Sequence, residues 1–227
     1  TSGTADSATL TLNNVSGSAG ITIAGVETLN VVSSTATNTV SLAGAAVTTL
    51  NVSGSKTLAL ATSTITPTTI DASAATAGFN MTPIASAATT QIGGSGADTL
   101  VGGTTNDVLT GNAGNDRITS GGGNDNINAG AGNDTITMAA TLTSADTIVG
   151  GDGTDTISVD AGTSVTNVMF TNVSGVEALT LATAGTATLG ALAQAAGIVT
   201  VTGSAASSTV SASAYTVGLT YNSASTA

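Results

Sequence analysis

From Gly93 to Thr137 the chain reads GGSGADTLV GGTTNDVLT GNAGNDRIT SGGGNDNIN AGAGNDTIT, spaced here in blocks of nine. An aspartate holds the sixth place of every block, Asp98, Asp107, Asp116, Asp125 and Asp134, and Leu or Ile follows two places later. The next step is twelve residues, to Asp146, and the period of nine returns at Asp155 in GGDGTDTIS. Each block is a Gly-rich turn followed by a three-residue strand with an apolar centre. Glycine permits the sharp reversals such a turn needs. Leu100, Leu109, Ile118, Ile127, Ile136, Ile148 and Ile157 are therefore expected to point inward. Two blocks make one turn of a coil, which places Asp98, Asp116, Asp134 and Asp155 on one edge and Asp107, Asp125 and Asp146 on the other.

The sequence on either side follows a longer period. TLTLN (9–13), VETLNV (26–31), VTTLNV (47–52) and TTIDAS (68–73) alternate apolar and polar residues, with Leu29, Leu50 and Ile70 about one coil apart. A second alternating pair recurs between them: Val40 with Leu42, Leu58 with Leu60, Phe79 with Met81. Apolar residues at period two mark strands with one buried face. A coil of about 20 residues holding two short strands is a repeat that stacks on its neighbours. After the array, SGVEALTL (174–181) echoes AGVETLNV (24–31). The expected fold is an all-β parallel β-solenoid: β-helix coils over 1–90, the nonapeptide roll over 91–160, and further coils with a weakly patterned tail over 161–227. LGALAQAAG (189–197) has the pattern of a two-turn helix ending at Gly197.

Composition fits a thin core. Aromatic residues number four, Phe79, Phe170, Tyr215 and Tyr221, so a globule built on large side chains is excluded. Hydrophobic residues make up 41% of the chain, which argues against disorder outside the termini. Thirteen acids face only Lys56 and Arg117, and nine of the acids fall between residues 91 and 160. An acidic block seeks a cationic partner, while nucleic acid and anionic membranes are disfavoured. No apolar run is long enough to span a bilayer. The N-terminus lacks a basic segment followed by an apolar one, so the expectation is a fragment or export by another route. The absence of Cys suits a secreted protein, and the absence of His and Cys removes thiolate sites and the usual nucleophilic triads.

Neighbouring strands in a parallel sheet lie about 4.8 Å apart. Two carboxylates stacked at about 5 Å repel by roughly 3 kcal/mol at an effective dielectric near 20. Repeated along two ladders, that would offset much of a marginal fold, so a cation must sit between the rungs. A hard divalent ion suits carboxylates and turn carbonyls. Calcium accepts six or more oxygens in irregular geometry, magnesium demands stricter octahedra, and transition metals favour His or Cys.

The blocks resemble the calcium-binding nonapeptide of RTX (repeats-in-toxin) proteins, Gly-Gly-x-Gly-x-Asp-x-apolar-x. The resemblance implies a right-handed parallel roll with several Ca2+ ions held between turns by backbone carbonyls and by Asp98, Asp107, Asp116, Asp125, Asp134, Asp146 and Asp155. Thr105, Asn112, Ser120 and Ala129 depart from the glycines of the pattern. The flanking coils and their Thr/Ala/Ser-rich composition resemble calcium-dependent surface-layer proteins of Gram-negative bacteria. That resemblance implies type I secretion, a cell-surface location, and self-association into a lattice. It also implies a structural, non-catalytic role, and polysaccharide contacts through regions outside this chain, which would be an inner portion of the rod without its anchor. The alternatives are an extension or ligand-binding segment of an RTX adhesin, or the RTX carrier module of a secreted enzyme. A flat face of Thr rows would favour the adhesin, but Thr9, Thr11 and Thr180 are not expected to continue in register.

Other residues carry blander readings. Ser55 beside Lys56 lacks an oxyanion motif and reads as surface. Glu27 and Glu177 occupy equivalent places in their coils and read as structural, and Arg117 as solvated. Asp71, Asp152 and Asp160 are minor candidates for extra calcium ligands. The sequons at Asn14, Asn51, Asn80 and Asn172 are frequent by chance in Ser/Thr-rich sequence.

Overall fold

The structure is a computed structural model. It describes residues 6–223 apart from 17–18, 45, 62, 82–87, 140–141, 160–163, 183–184 and 204–207. Asp160 lies outside the described residues.

The chain is an all-β parallel solenoid. Among the described residues, nine strands from Ser7–Leu12 to Val173–Ser174 form one parallel sheet, and eleven from Ala19–Thr22 to Thr220–Ser223 form the opposing one. Successive strands alternate between the sheets along most of the chain, so each coil adds one rung to each sheet. Both sheets run without a break from the first coils through the nonapeptides. The twelve-residue step leaves the stack intact, since Asn126–Ala131 pairs with Thr147–Asp152 and Thr135–Met138 with Thr156–Val159.

The apolar period of two becomes two buried columns. Leu29, Leu50 and Ile70 stack in one sheet, and Leu109, Ile127 and Ile148 continue the column. Leu100, Ile118, Ile136, Ile157, Leu179 and Val201 form the other. These side chains are almost wholly buried. Two polar residues share the interior. Gln91 stands between Ile70 and Leu109, and its amide pairs with both the carbonyl and the N–H of Val101 across the coil. Asn38 accepts from the Val15 N–H and donates to Ser33 Oγ and the Ala36 carbonyl. Asn38 also sets the register: it pairs with Leu58, and Val40 pairs with Leu60. Matching the apolar pairs Val40/Leu42 and Leu58/Leu60 directly would miss this by two residues, because a fully hydrogen-bonded Asn fills an inward place.

Past the array the coil gains a third side. Ser164–Thr166, Thr186–Thr188 and Thr209–Ser211 form a three-stranded sheet, where two strands per coil were expected. Rungs here are 22 or 23 residues apart, which accommodates the extra strand. The helix Ala191–Ala196 ends at Gly197, whose φ of 110° is left-handed. It packs against Val173–Ser174, the last strand of the nine-stranded sheet. The helix thus covers an edge that would otherwise present unpaired backbone groups.

The outward face of the eleven-stranded sheet corrects the expectation about Thr180. It stands in register between Ser158 and Thr202, in a row that includes Thr119 and Thr137. A parallel row runs through Thr135 and Thr156, interrupted by Ala178, to Thr200 and Thr220. Pairing, and not linear spacing, aligns these hydroxyls, because the rungs differ in length. Thr9 and Thr11 pair with Asn30 and Val32 and join no such row.

The two faces predict opposite sensitivities. Ile127→Ala should cost about 2–5 kcal/mol in urea denaturation with calcium present. Thr135→Ala, on the outer face, should stay within about 0.5 kcal/mol. Equal losses would contradict this assignment of faces.

Candidate metal centre

The seven nonapeptide aspartates are buried. In each ladder one carboxylate oxygen accepts the backbone N–H of the residue directly below. Oδ1 of Asp116, Asp134 and Asp155 binds the N–H of Asp98, Asp116 and Asp134, at 2.7–2.8 Å. On the other edge, Oδ1 of Asp125 and Asp146 binds the N–H of Asp107 and Asp125, both at 2.9 Å. Asp98 and Asp107 extend the pattern to the N–H of Phe79 and Thr89. The eighteen-residue turn thus sorts the aspartates into the two expected edges, joined to the backbone of the preceding rung.

The second oxygens are not equivalent. Oδ2 of Asp98 and Asp107 accepts the N–H of Gly94 and Gly103, the second residue of the same block. Oδ2 of Asp146 accepts from Thr143. Oδ2 of Asp116, Asp134 and Asp155 is buried without a hydrogen-bond partner. The difference coincides with the backbone of the second block residue. Asn112, Gly130 and Gly151 all have positive φ, 71°, 110° and 115°, and lie within paired strands. Asn112, a departure from the Gly pattern, therefore keeps the conformation for which glycine is favoured, as Asn does more readily than other residues. Three buried, unpaired carboxylate oxygens on one edge represent a large uncompensated desolvation.

The first residue of a block shapes the space beside each carboxylate. A Cβ added at Gly93 would sit against Asp98 Oδ2 and the Gly111 carbonyl; at Gly111, against Asp116 Oδ2 and the Ala129 carbonyl. A Cβ at Gly102 would meet Asp107 Oδ2 and the Ser120 carbonyl, and one at Gly150 would meet Asp155 Oδ2 and the Gly175 carbonyl. A carboxylate oxygen thus recurs beside a main-chain carbonyl of the next rung, two acceptors facing one small space. That donor set suits a hard cation and offers nothing to a soft one. Among the described residues no three acidic side chains converge, so a bound ion would draw most of its ligands from main-chain carbonyls and water.

The ladders also extend beyond the nonapeptides. Glu177 Oε2 accepts the Asp155 N–H at 2.8 Å, and Glu27 Oε2 accepts the Asp6 N–H at 2.8 Å. Both glutamates follow a left-handed glycine, Gly175 at 61° and Gly25 at 66°. Between Glu27 and Asp107 the edge is continued by Thr48, Thr68 and Thr89; the first two hydroxyls bind the carbonyl of the rung before, and Thr89 binds Asp107. A further pattern is formed by Asn106 on one edge and by Asn115 and Asn133 on the other, whose Oδ1 accepts the N–H of Asn124, Asn133 and Thr154 respectively. It was available to sequence reading in the repeated Asn-Asp dipeptide. Asp71 instead accepts the Ser73 N–H in a local turn, and Asp152 is exposed. Ser55, Lys56 and Arg117 are exposed.

Burial raises five of these carboxyls above their ordinary range. It pushes Asp116 up to about 7, Asp125 and Asp155 up to about 6, and raises Asp98 and Asp134 as well. Like-charged neighbours on the ladder add to the rise at Asp116, Asp125 and Asp155. With folded values above the unfolded one, the folded state binds more protons across the interval between them. The calcium-free solenoid should therefore be most stable below about pH 4 and lose stability as pH rises from about 4 to 7. Urea midpoints measured in chelator across that range check this; midpoints that rise with pH would contradict it.

The profile of the RTX calcium-binding nonapeptide repeat, in four copies, matches residues 92–127, 119–137 and 140–165. These matches span the ladders and imply calcium binding by this part of the chain. No curated protein and no solved structure was found to match. No helix among the described residues is long and apolar enough to cross a membrane. The chain carries RTX calcium-binding nonapeptide repeats, set within a longer parallel solenoid.

Proposed function

We propose that Asp98, Asp107, Asp116, Asp125, Asp134, Asp146 and Asp155 hold several Ca2+ ions between the turns. We propose further that the chain is a calcium-rigidified structural section of a secreted bacterial surface-layer protein. The observation that carries the calcium assignment is the set of buried, unpaired Oδ2 atoms on Asp116, Asp134 and Asp155, those of Asp116 and Asp155 lying beside main-chain carbonyls. Calcium replaces the water these oxygens lost and screens their mutual repulsion. It binds the folded turns and not the unfolded chain, so its binding energy becomes folding energy. At a free calcium level 100 times the dissociation constant, one site stabilises by about 2.7 kcal/mol. The low calcium of a cytosol would leave the chain loose for export, and the millimolar calcium outside would lock it.

The surface-layer role is supported by the two long sheets that run through the array and by parallel coils on both sides of it. A rod of this kind suits self-association into a lattice, with polysaccharide anchoring left to regions outside this chain. The rows through Thr137, Ser158, Thr180 and Thr202 favour a second reading, in which the same solenoid is the ligand-binding or spacer segment of an RTX adhesin.

Circular dichroism should show strand signal that grows when calcium is added and falls on chelation. Asp116→Asn should weaken calcium binding and lower the melting temperature in calcium by several degrees. Strand content and melting temperature indifferent to calcium would overturn the calcium assignment. Electron microscopy of the secreted protein should show a two-dimensional lattice that dissolves in chelator; well-folded single rods in calcium would instead favour the adhesin.

A further inference from the structure

The last nonapeptide does not end the carboxylate ladder. The family match stops at residue 165, but the rung above Asp155 is supplied by the coil that follows, through Gly175, Val176 and Glu177. Three features bring this coil to the Asp155 carboxylate. The Gly175 carbonyl and Asp155 Oδ2 border the same small space, which a Cβ on Gly150 would fill at 2.7 Å from Oδ2. Asp155 is wholly buried and its Oδ2 has no hydrogen-bond partner. Glu177 Oε2 takes the Asp155 N–H, the bond that the next aspartate takes everywhere else along this edge. Two aspects of the coil make this possible. Gly175, at φ 61°, turns the chain in two residues where a nonapeptide uses five, and the longer Glu side chain spans the difference.

We propose that Asp155, the Gly175 carbonyl and Glu177 form a calcium site at the junction, so that the last ion ties the array to the coil beyond it. The inference rests on the reading of the aspartate ladders as calcium sites. Asp155 Oδ2 and the Gly175 carbonyl are direct ligands, and Glu177 fixes the position of Asp155 while adding the second negative charge a divalent ion favours. The ion thereby extends calcium control outside the repeats. The strand Ala178–Leu181 is paired to Thr156–Val159, so ordering the junction orders the start of the downstream coil.

The test is calcium stoichiometry by equilibrium dialysis on the full chain, with hydrogen exchange followed in parallel over 178–181. Asp155→Asn keeps an acceptor for the Asp134 N–H while removing the charged ligand, and should remove one ion. Calcium-induced protection of 178–181 should be lost with that ion while protection within 108–131 is kept. Glu177→Gln retains an acceptor for the Asp155 N–H but not the charge. It should keep the ion count at saturating calcium while weakening one site by roughly 10- to 100-fold. If Asp155→Asn fails to fold, Glu177→Gln decides the question. Wild-type protein that binds calcium, with neither count nor affinity changed in the variants that fold, would overturn the junction site and leave the ladder assignment standing. Wild-type protein that binds no calcium would overturn both.

Discussion

A carboxylate removed from water must find hydrogen bonds or a cation, and this fold is organised around meeting that demand seven times. Half of it is met by the chain: one oxygen of each buried aspartate takes the N–H of the rung below. Those bonds fix the spacing and direction of the ladders. Six of the second oxygens divide evenly: a turn N–H satisfies those of Asp98, Asp107 and Asp146, and nothing within the protein satisfies those of Asp116, Asp134 and Asp155. The calcium-free fold therefore carries a built-in instability on one edge, and proton uptake is its only internal remedy.

The glycines matter for the same reason. A side chain at Gly114 or Gly132 would run into the main chain of the preceding turn, so the close stacking that makes the ladders exists only where Cβ is missing. Positive φ at Gly130 and Gly151 accompanies the carboxylates left unpaired. The turn geometry that tightens the roll is thus also the geometry that leaves room for an ion. Ahead of the array, the row is carried by Thr hydroxyls and the Glu27 side chain, which need no cation because they are partly exposed or hydrogen-bonded to main-chain groups. The solenoid changes from a stack whose edge groups are satisfied to one with unpaired buried carboxylate oxygens without changing its sheets.

Legibility in the sequence followed chemistry. The Leu and Ile columns were readable because period-two alternation has one structural meaning when repeated this often, and the aspartate ladders were readable because nine is half a turn. Asn38 and Gln91 were not, since a polar residue in a core is recognised only once its partners are known. Glu27 and Glu177 were visible as an equivalent pair, but their bonds to Asp6 and Asp155 depend on how two left-handed glycines shorten the turn before them. The third sheet and the Thr180 row depend on pairing across rungs of unequal length, which spacing along the chain does not encode. The split between satisfied and unsatisfied Oδ2 atoms was likewise hidden, because it accompanies backbone angles at Asn112, Gly130 and Gly151 that residue type alone does not give.

The most direct test of the central claim is anomalous X-ray diffraction from crystals grown with calcium. The account predicts peaks beside Oδ2 of Asp116, Asp134 and Asp155, those at Asp116 and Asp155 within bonding distance of a main-chain carbonyl from the next rung. A well-ordered ladder with no anomalous density at these oxygens, or with density confined to exposed carboxylates such as Asp152, would contradict it.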